Sequence, residues 1–271
     1  MEAPMIPKKY SVLGVGVSAV NYETATHCVI EAAREGRPFG VTALAVHGVM
    51  TGALELDHRR RLNRLDLITP DGQPVRWFLN ARYRLGLRDR VYGPTLTLHI
   101  LEAAAREGLP VYFYGSRREV VETLGRRMQE RFPGLVVAGA RPSAFRKISH
   151  AEKEEIISSI RDSGARIAFI GLGCPRQEIF AYEYRDALKM PVLAVGAAFD
   201  YHSGILAEPP EIWQRLGLQW LYRLCQEPRR LWKRYLLFNT GFVALATLQL
   251  LRLWRPSAAP DAAAVPEVLV A

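Results

Sequence analysis

Along most of the chain, short apolar runs rich in β-branched residues alternate with longer stretches whose apolar positions recur every three or four residues. The short runs predict strands over 10–17, 39–46, 65–69, 110–114, 135–139, 166–171 and 191–195. The stretches between them predict helices over 22–35, 48–63, 73–85, 95–107, 118–131, 150–163 and 176–188. Strands alternating with helices of this length need crossover connections, which build a mostly parallel sheet flanked by helices. Ligands of such sheets bind where strand C-termini meet the following loops, which marks the loops beginning at Thr69, Tyr114, Gly171 and Val195.

After about residue 205 the strand pattern stops. Trp213, Trp220, Trp232 and Trp254 fall here, leaving Trp77 elsewhere. Residues 221–253 read as helical, with Pro228 near a helix start, where its missing N–H costs nothing. Leu224, Leu231, Tyr235, Phe238, Phe242 and Leu245 form one apolar stripe along it. Arg230, Lys233 and Arg234 precede an uncharged run over 235–251, shorter than the roughly 20 apolar residues of a spanning helix. The order basic, aromatic, apolar predicts a helix lying in a membrane interface with its cations on anionic head groups. The competing reading packs the same stripe on the protein's own core. The organisation expected is an α/β core over 1–205, a helical appendage over 206–254 and a disordered Ala/Pro-rich tail over 255–271.

At 271 residues and 49% hydrophobic, the chain can bury a sizeable core, and 23% charged residues give a globular composition. The net charge of +9 calls for an anionic partner: nucleic acid, a phosphorylated small molecule or an acidic membrane. Because the late basic residues adjoin an apolar run, a membrane fits better than a nucleic acid. Three cysteines in no zinc spacing argue for a reducing compartment. No signal peptide is legible, so the core is expected in the cytoplasm.

Four constellations carry candidate chemistry. Asp71, in the Thr69–Pro74 stretch after a strand, is either a helix cap or a general base able to take a proton from an attacking hydroxyl. Gly171 and Gly173 in GLGCPRQE, and Gly115 and Ser116 after an earlier strand, sit where backbone N–H groups and a helix N-terminus receive phosphate. Phe199 and Asp200 in VGAAFDYHSG form either a nucleoside pocket or a packed turn. Arg215, Arg223, Arg229, Arg230, Lys233 and Arg234 can hold phosphate oxygens or simply form a solvated face. There is no D-x-D for a divalent ion, no histidine metal spacing and no dinucleotide fingerprint, so neither a metal nor a cofactor is expected.

Taken in order, VHGVM (46–50), LNRLDLITPDGQPVRW (62–77), VYGPTL (91–96), YGS (114–116), ERFPGL (130–135), GLGCPRQE (171–178), VGAAFDYHSG (195–204) and LGLQWLYRLCQEPRRLWKRY (216–235) resemble the WecG/TagA/CpsF glycosyltransferases, family 26. The resemblance implies a Rossmann-like core with a membrane-associating C-terminal appendage. It implies inverting, metal-independent transfer from a UDP-sugar (N-acetylmannosamine, its uronic acid or glucose) to an undecaprenyl-diphosphate-linked sugar, serving a surface or exopolysaccharide. The enzyme would work as a peripheral protein at the cytoplasmic face of a bacterial inner membrane. The family's general base falls on Asp71 and its substrate-proximal glutamine on Gln177. The uridine side falls on Phe199, Asp200 and Gly204, and the diphosphate-holding arginines on Arg215, Arg223 and Arg230. A Thr-x-Asn found in relatives is absent: Ala45 stands where the Asn is expected and Thr42 is out of register. Oligomeric state stays open, a homo-oligomer included. The alternatives are a sugar-nucleotide-modifying enzyme such as an epimerase, which lacks its fingerprint here; a nucleic-acid-binding module; and a non-catalytic membrane-associated polysaccharide-assembly protein, which leaves the PDG and GLGCPRQE loops unexplained.

Overall fold

A computed structural model describes residues 6–257 and 265–269. The chain opens with a hairpin, β1 (Lys9–Val12) and β2 (Val15–Ser18). Residues 10–17, expected as one strand, fold back because Leu13 and Gly14 both take positive φ, 52° and 93°, which is the two-residue turn that matches strand twist. Ser18 Oγ accepts from Ile68 N–H at 3.1 Å and ties the hairpin to the main sheet.

The core then runs α1 (Tyr22–Glu35), β3 (Phe39–Leu44), α2 (Val46–Leu54), α3 (Leu56–Arg64), β4 (Leu67–Pro70), α4 (Gln73–Tyr83), α5 (Gly93–Glu107) and β5 (Val111–Gly115). It continues with α6 (Arg118–Arg131), β6 (Val137–Arg141), α7 (His150–Asp162), β7 (Ile167–Gly171), α8 (Arg176–Leu188), β8 (Pro191–Ala194) and α9 (Ala198–Ser203). Among the described residues the main sheet has six strands in the order β4-β3-β8-β7-β5-β6, all parallel. Strands β4, β5, β7 and β8 are buried throughout, which is why they read as continuous apolar runs. The edge strand β6 is only partly buried, and starts two residues later than expected because Leu135 N–H closes a turn onto Phe132 O at 3.0 Å.

Helices cover both faces. On one, α1, α5, α6 and α9 bury Val29, Ile100, Val121 and Ala198; on the other, α2, α3, α4, α7 and α8 bury Val49, Leu62, Phe78, Ile156 and Phe180. The single helix expected over 48–63 is two, because Glu55 is extended (φ −112°, ψ 107°) and redirects the chain. The ladder pairs Leu44 with Pro70, Thr42 and Ile170 with Ala194, and Gly115 with Gly171, so the C-terminal ends of five strands lie level. From β3 the chain steps outward to β4, and from β5 it steps the opposite way to β6. That divergence opens a crevice at the strand ends.

The appendage comprises α10 (Glu211–Arg215), α11 (Gln219–Gln226) and α12 (Pro228–Leu250). It folds back over this crevice rather than standing apart. Leu231, Phe242 and Ala246 of α12 are buried, Phe238 and Leu245 pack on the core, and the buried Gln249 side chain accepts from Leu13 N–H at 3.0 Å. The stripe read from sequence thus lies inward. The opposite face exposes Trp232, Leu236, Leu237, Val243, Leu248 and Leu250, with Leu251 and Leu253 just beyond the helix. Arg229 and Lys233 are exposed beside them. Among the described residues, no helix is long and apolar enough to cross a membrane.

Of the tail, 258–264 and 270–271 lie outside the described residues. The segment 265–269, within the stretch whose composition predicts disorder, makes definite contacts. Val268 N–H donates to Glu183 Oε1 at 2.9 Å, Ile148 N–H donates to Leu269 O at 3.3 Å, and Arg61 donates to Pro266 O.

Candidate active site

The four loops singled out from the strand pattern converge on one cleft of about 1090 Å³. Its floor is the strand-end row: Asp71 to Pro74 after β4, Ala45 to Gly48 after β3, Val195 to Ala197 after β8, Gly171 to Cys174 after β7, and Ser116 and Arg117 after β5. From Asp71 to Ser116 this row crosses four interstrand steps, about 19 Å at about 4.8 Å each. One wall belongs to the appendage: Trp220, Arg223, Leu231, Arg234, Tyr235 and Phe242.

Asp71 is placed by its strand. Its N–H donates to Leu44 O at 3.3 Å and its Oδ1 accepts from Gly93 N–H at 2.9 Å. It does not cap the helix that follows it; that position is Gly72. The carboxyl instead faces the first residue of α5, where the helix dipole favours negative charge. Burial pushes its pKa above the usual carboxylate value, while the Arg90 guanidinium, the Gly93 N–H and Arg223 pull it back. A partly desolvated carboxylate aimed into a cleft is a stronger base than a solvated one.

Arg90 is the residue that local sequence pattern did not disclose. It is 8% exposed and donates to Asp71 O at 3.3 Å, Gln219 Oε1 at 2.7 Å and Gln214 Oε1 at 2.9 Å. Its guanidinium carbon lies 4.2 Å from the Tyr92 ring centroid. One side chain therefore joins the Asp71 loop to α10 and α11. The signal was an arginine directly before the VYGPTL block; its meaning depends on glutamines more than a hundred residues later.

Gln177 lines the cleft but is 5% exposed and both ends of its amide are engaged. Gly173 N–H donates to its Oε1 at 3.1 Å, and its Nε2 donates to Glu178 Oε1 at 2.9 Å. Gln177 thus shapes the β7–α8 loop, and the Gly173 N–H expected to face a phosphate is already used. Gly171 lines the cleft as well. A Cβ there would lie 2.5 Å from Phe199 Cδ2, so only glycine lets β7 pass over that ring. Phe199 itself is 1% exposed, edge-on to Phe113, and is a core residue beneath the site instead of a surface for stacking. Gly115 is buried against Gly171, and Ser116, whose N–H donates to Gly171 O at 2.9 Å, reaches the lining. Asp200 lines the cleft from the first turn of α9.

The arginines divide. Arg223 lines the cleft, pairs with Glu227 at 3.7 Å and lies 5.9 Å from the Tyr201 ring centroid. Arg215 is exposed, pairs with Glu211 at 2.5 Å and does not reach the lining. The Arg230 side chain lies outside the described residues. Arg176 and Arg234, the first not singled out beforehand, also face the cleft. Cations are therefore supplied from the core (Arg90, Arg117, Arg176) as well as the appendage.

Two histidines lie close by. His47, on the cleft wall, packs edge-on to Phe238 with centroids 4.9 Å apart; burial, Arg234 and His58 push its pKa down to about 3. His58, on α3, is pushed down to about 4 by burial and Arg61. Both are neutral at physiological pH. Although the sequence spacing holds no metal motif, the fold gathers His58, Cys174 and Glu178 so that their ligand atoms lie within 4.8 Å of one another.

Parallel strands, a crevice at their C-terminal ends and a carboxylate among arginines make an α/β fold with a cleft suited to an anionic ligand. A family model, Glycosyl transferase WecG/TagA/CpsF family, matches residues 10–256, and the chain belongs to that family. The match covers core and appendage together.

Proposed function

We propose that this glycosyltransferase moves a sugar from a UDP-sugar onto an undecaprenyl-diphosphate-linked sugar, with inversion and without a catalytic metal, at the cytoplasmic face of the bacterial inner membrane. The observation that carries the reading is Asp71: a carboxylate with raised proton affinity, fixed through Oδ1 by Gly93, facing a cleft walled by arginines. In the proposed reaction the acceptor hydroxyl attacks the anomeric carbon from the face opposite UDP, and Oδ2 of Asp71 takes its proton. The C–O bond to the β-phosphate breaks, and charge grows on the diphosphate. Arg223, Arg234 and Arg176 are placed to meet that charge, a role divalent ions fill in enzymes with a D-x-D. Since the Gly173 N–H is already bonded, guanidinium groups carry more of this work than the glycine loop.

The donor class rests on the family resemblance, and the loss of Thr-x-Asn leaves Ala43 and Ala45 lining the cleft in place of polar groups. The acceptor class rests on the same resemblance, and the membrane surface rests on the outward apolar face of α12 with Arg229 and Lys233 beside it. The test is UDP release and product mass with a panel of UDP-sugars and a short-chain lipid-diphosphate sugar, with and without added Mg²⁺ or Mn²⁺. The expected result is acceptor-dependent release, one hexose added per acceptor, a rate unchanged by either ion, and turnover about 10²–10⁴ lower in Asp71→Asn. Near-normal turnover in that variant removes Asp71 from the role. Release from no donor by folded protein refutes the donor class.

A further inference from the structure

His58, Cys174 and Glu178 come from α3, the β7–α8 turn and the first turn of α8. His58 is 2% exposed and neither of its ring nitrogens has a hydrogen-bond partner; Glu178 is 1% exposed and its Oε2 has none either. The Glu178 Oε1, by contrast, is held by Thr42 Oγ1 at 3.2 Å and Gln177 Nε2 at 2.9 Å, which aims the other oxygen at the cluster. Cys174 meets the Glu178 carboxyl and the Thr51 hydroxyl. A buried imidazole with both nitrogens idle is costly, since each lost bond leaves a desolvated polar atom. An ion that accepts a lone pair from nitrogen, sulfur and oxygen at once removes that cost.

We propose that His58, Cys174 and Glu178 bind a thiophilic divalent ion of the zinc type, which clamps α3 onto the β7–α8 turn. Nitrogen, thiolate and carboxylate are the donor types zinc takes, at about 2.0–2.3 Å. Tetrahedral bonds of that length put the ligand atoms about 3.3–3.8 Å apart, so side-chain movements of about 1 Å close the present separation. On binding, the Cys174 proton goes to solvent, and thiolate and carboxylate together balance the ion's two charges. Cys174 and Glu178 line the cleft while His58 lies behind it, so the ion would sit between α3 and the β7–α8 turn. The role is structural: the clamp fixes the turn that carries Gly173 and the start of α8 that carries Gln177. It is independent of the donor and acceptor assigned above, and neither outcome of its test bears on them.

Untagged full-length protein, stripped with chelator and dialysed, is titrated with Co²⁺. The expected result is one equivalent bound with a thiolate-to-cobalt charge-transfer band, displaced by equimolar Zn²⁺. The band persists in a Cys28→Ser/Cys225→Ser variant and vanishes in Cys174→Ser, and His58→Gln weakens binding by about tenfold or more. Zn²⁺ at a hundredfold excess over its Kd raises Tm by roughly 5 °C or more in wild type. A folded wild type with no charge-transfer band, or a band that survives Cys174→Ser, overturns the proposal. If Cys174→Ser fails to fold, the cysteine-pair variant and His58→Gln still decide it: binding lost in the former, or unchanged in the latter, overturns it.

Discussion

Arg90→Met isolates the link between the appendage and the carboxylate. The substitution keeps an apolar stem over Tyr92 and removes two charged bonds to glutamine amides, at 2.7 and 2.9 Å, and a longer one to Asp71 O at 3.3 Å. Bonds from a charged donor contribute about 1.5–3 kcal/mol each. Both glutamines are only partly buried and their oxygens can recover water, so the net loss is about 2–4 kcal/mol. At 1.4 kcal/mol per tenfold, α10 and α11 should detach about 30 to 700 times more often. Hydrogen exchange read by mass spectrometry over 211–226 should speed up accordingly, with 118–131 on the far face of the sheet as an unchanged control. A second readout comes from charge. Arg90 lowers the Asp71 pKa, so its removal raises it, and in the role proposed for it the carboxyl must then ionise at higher pH before it can take a proton. The acid limb of kcat/KM should therefore move to higher pH. Unchanged exchange over 211–226 together with an unmoved acid limb would refute both the tether and the electrostatic coupling.

Other consequences are checked more simply. Because burial raises the folded-state pKa of Asp71, the fold favours its protonated form: that stability is complete below the unfolded value of about 3.9 and is lost as pH rises through the folded value. Asp71→Asn should thus raise Tm at pH 7.5 by more than at pH 4, even as it removes activity; equal shifts would contradict this. Gly171→Ala drives a methyl into the Phe199 ring and should cost about 1–3 kcal/mol, a Tm drop of about 2–12 °C by calorimetry. Leu236→Glu or Leu237→Glu, on the outward face of α12, should lower partitioning onto anionic vesicles at least about tenfold while leaving circular dichroism and Tm unchanged. Equal partitioning would remove this face from membrane contact.

Helices with ordinary punctuation were legible to the residue. For α1, Asn21 accepts from Thr24 N–H at 2.8 Å at one end and Gly36, at φ 62°, closes the other. The strands buried on both faces were equally plain, because nothing in them interrupts the apolar run. What local pattern hid were changes of direction: the Leu13–Gly14 turn, whose glycine falls inside an otherwise apolar run, and Glu55, flanked by the exposed Leu54 and Leu56 that resemble a continuing helix. At the site, residues on loops after strands could be named in advance, and Asp71, Gln177, Asp200 and Arg223 do meet in one cleft. Roles set by distant partners could not. Phe199 sits under the floor because β7 crosses it, Arg215 is exposed and pairs with Glu211 of its own helix instead of reaching the cleft, and Arg90 and His58 acquire meaning only from residues far along the chain.

Helix α12 carries two alphabets in one stretch of 23 residues. Positions facing inward build a wall of the cleft and answer to packing; those facing outward answer to whatever surface the protein meets. With 3.6 residues per turn the two sets interleave, so neighbouring letters fall under different selection. Saturation mutagenesis of this one helix, scored once for protein abundance and once for cellular fractionation, should therefore resolve into two out-of-phase periodic signals, separating the requirements of folding from those of address within a single element.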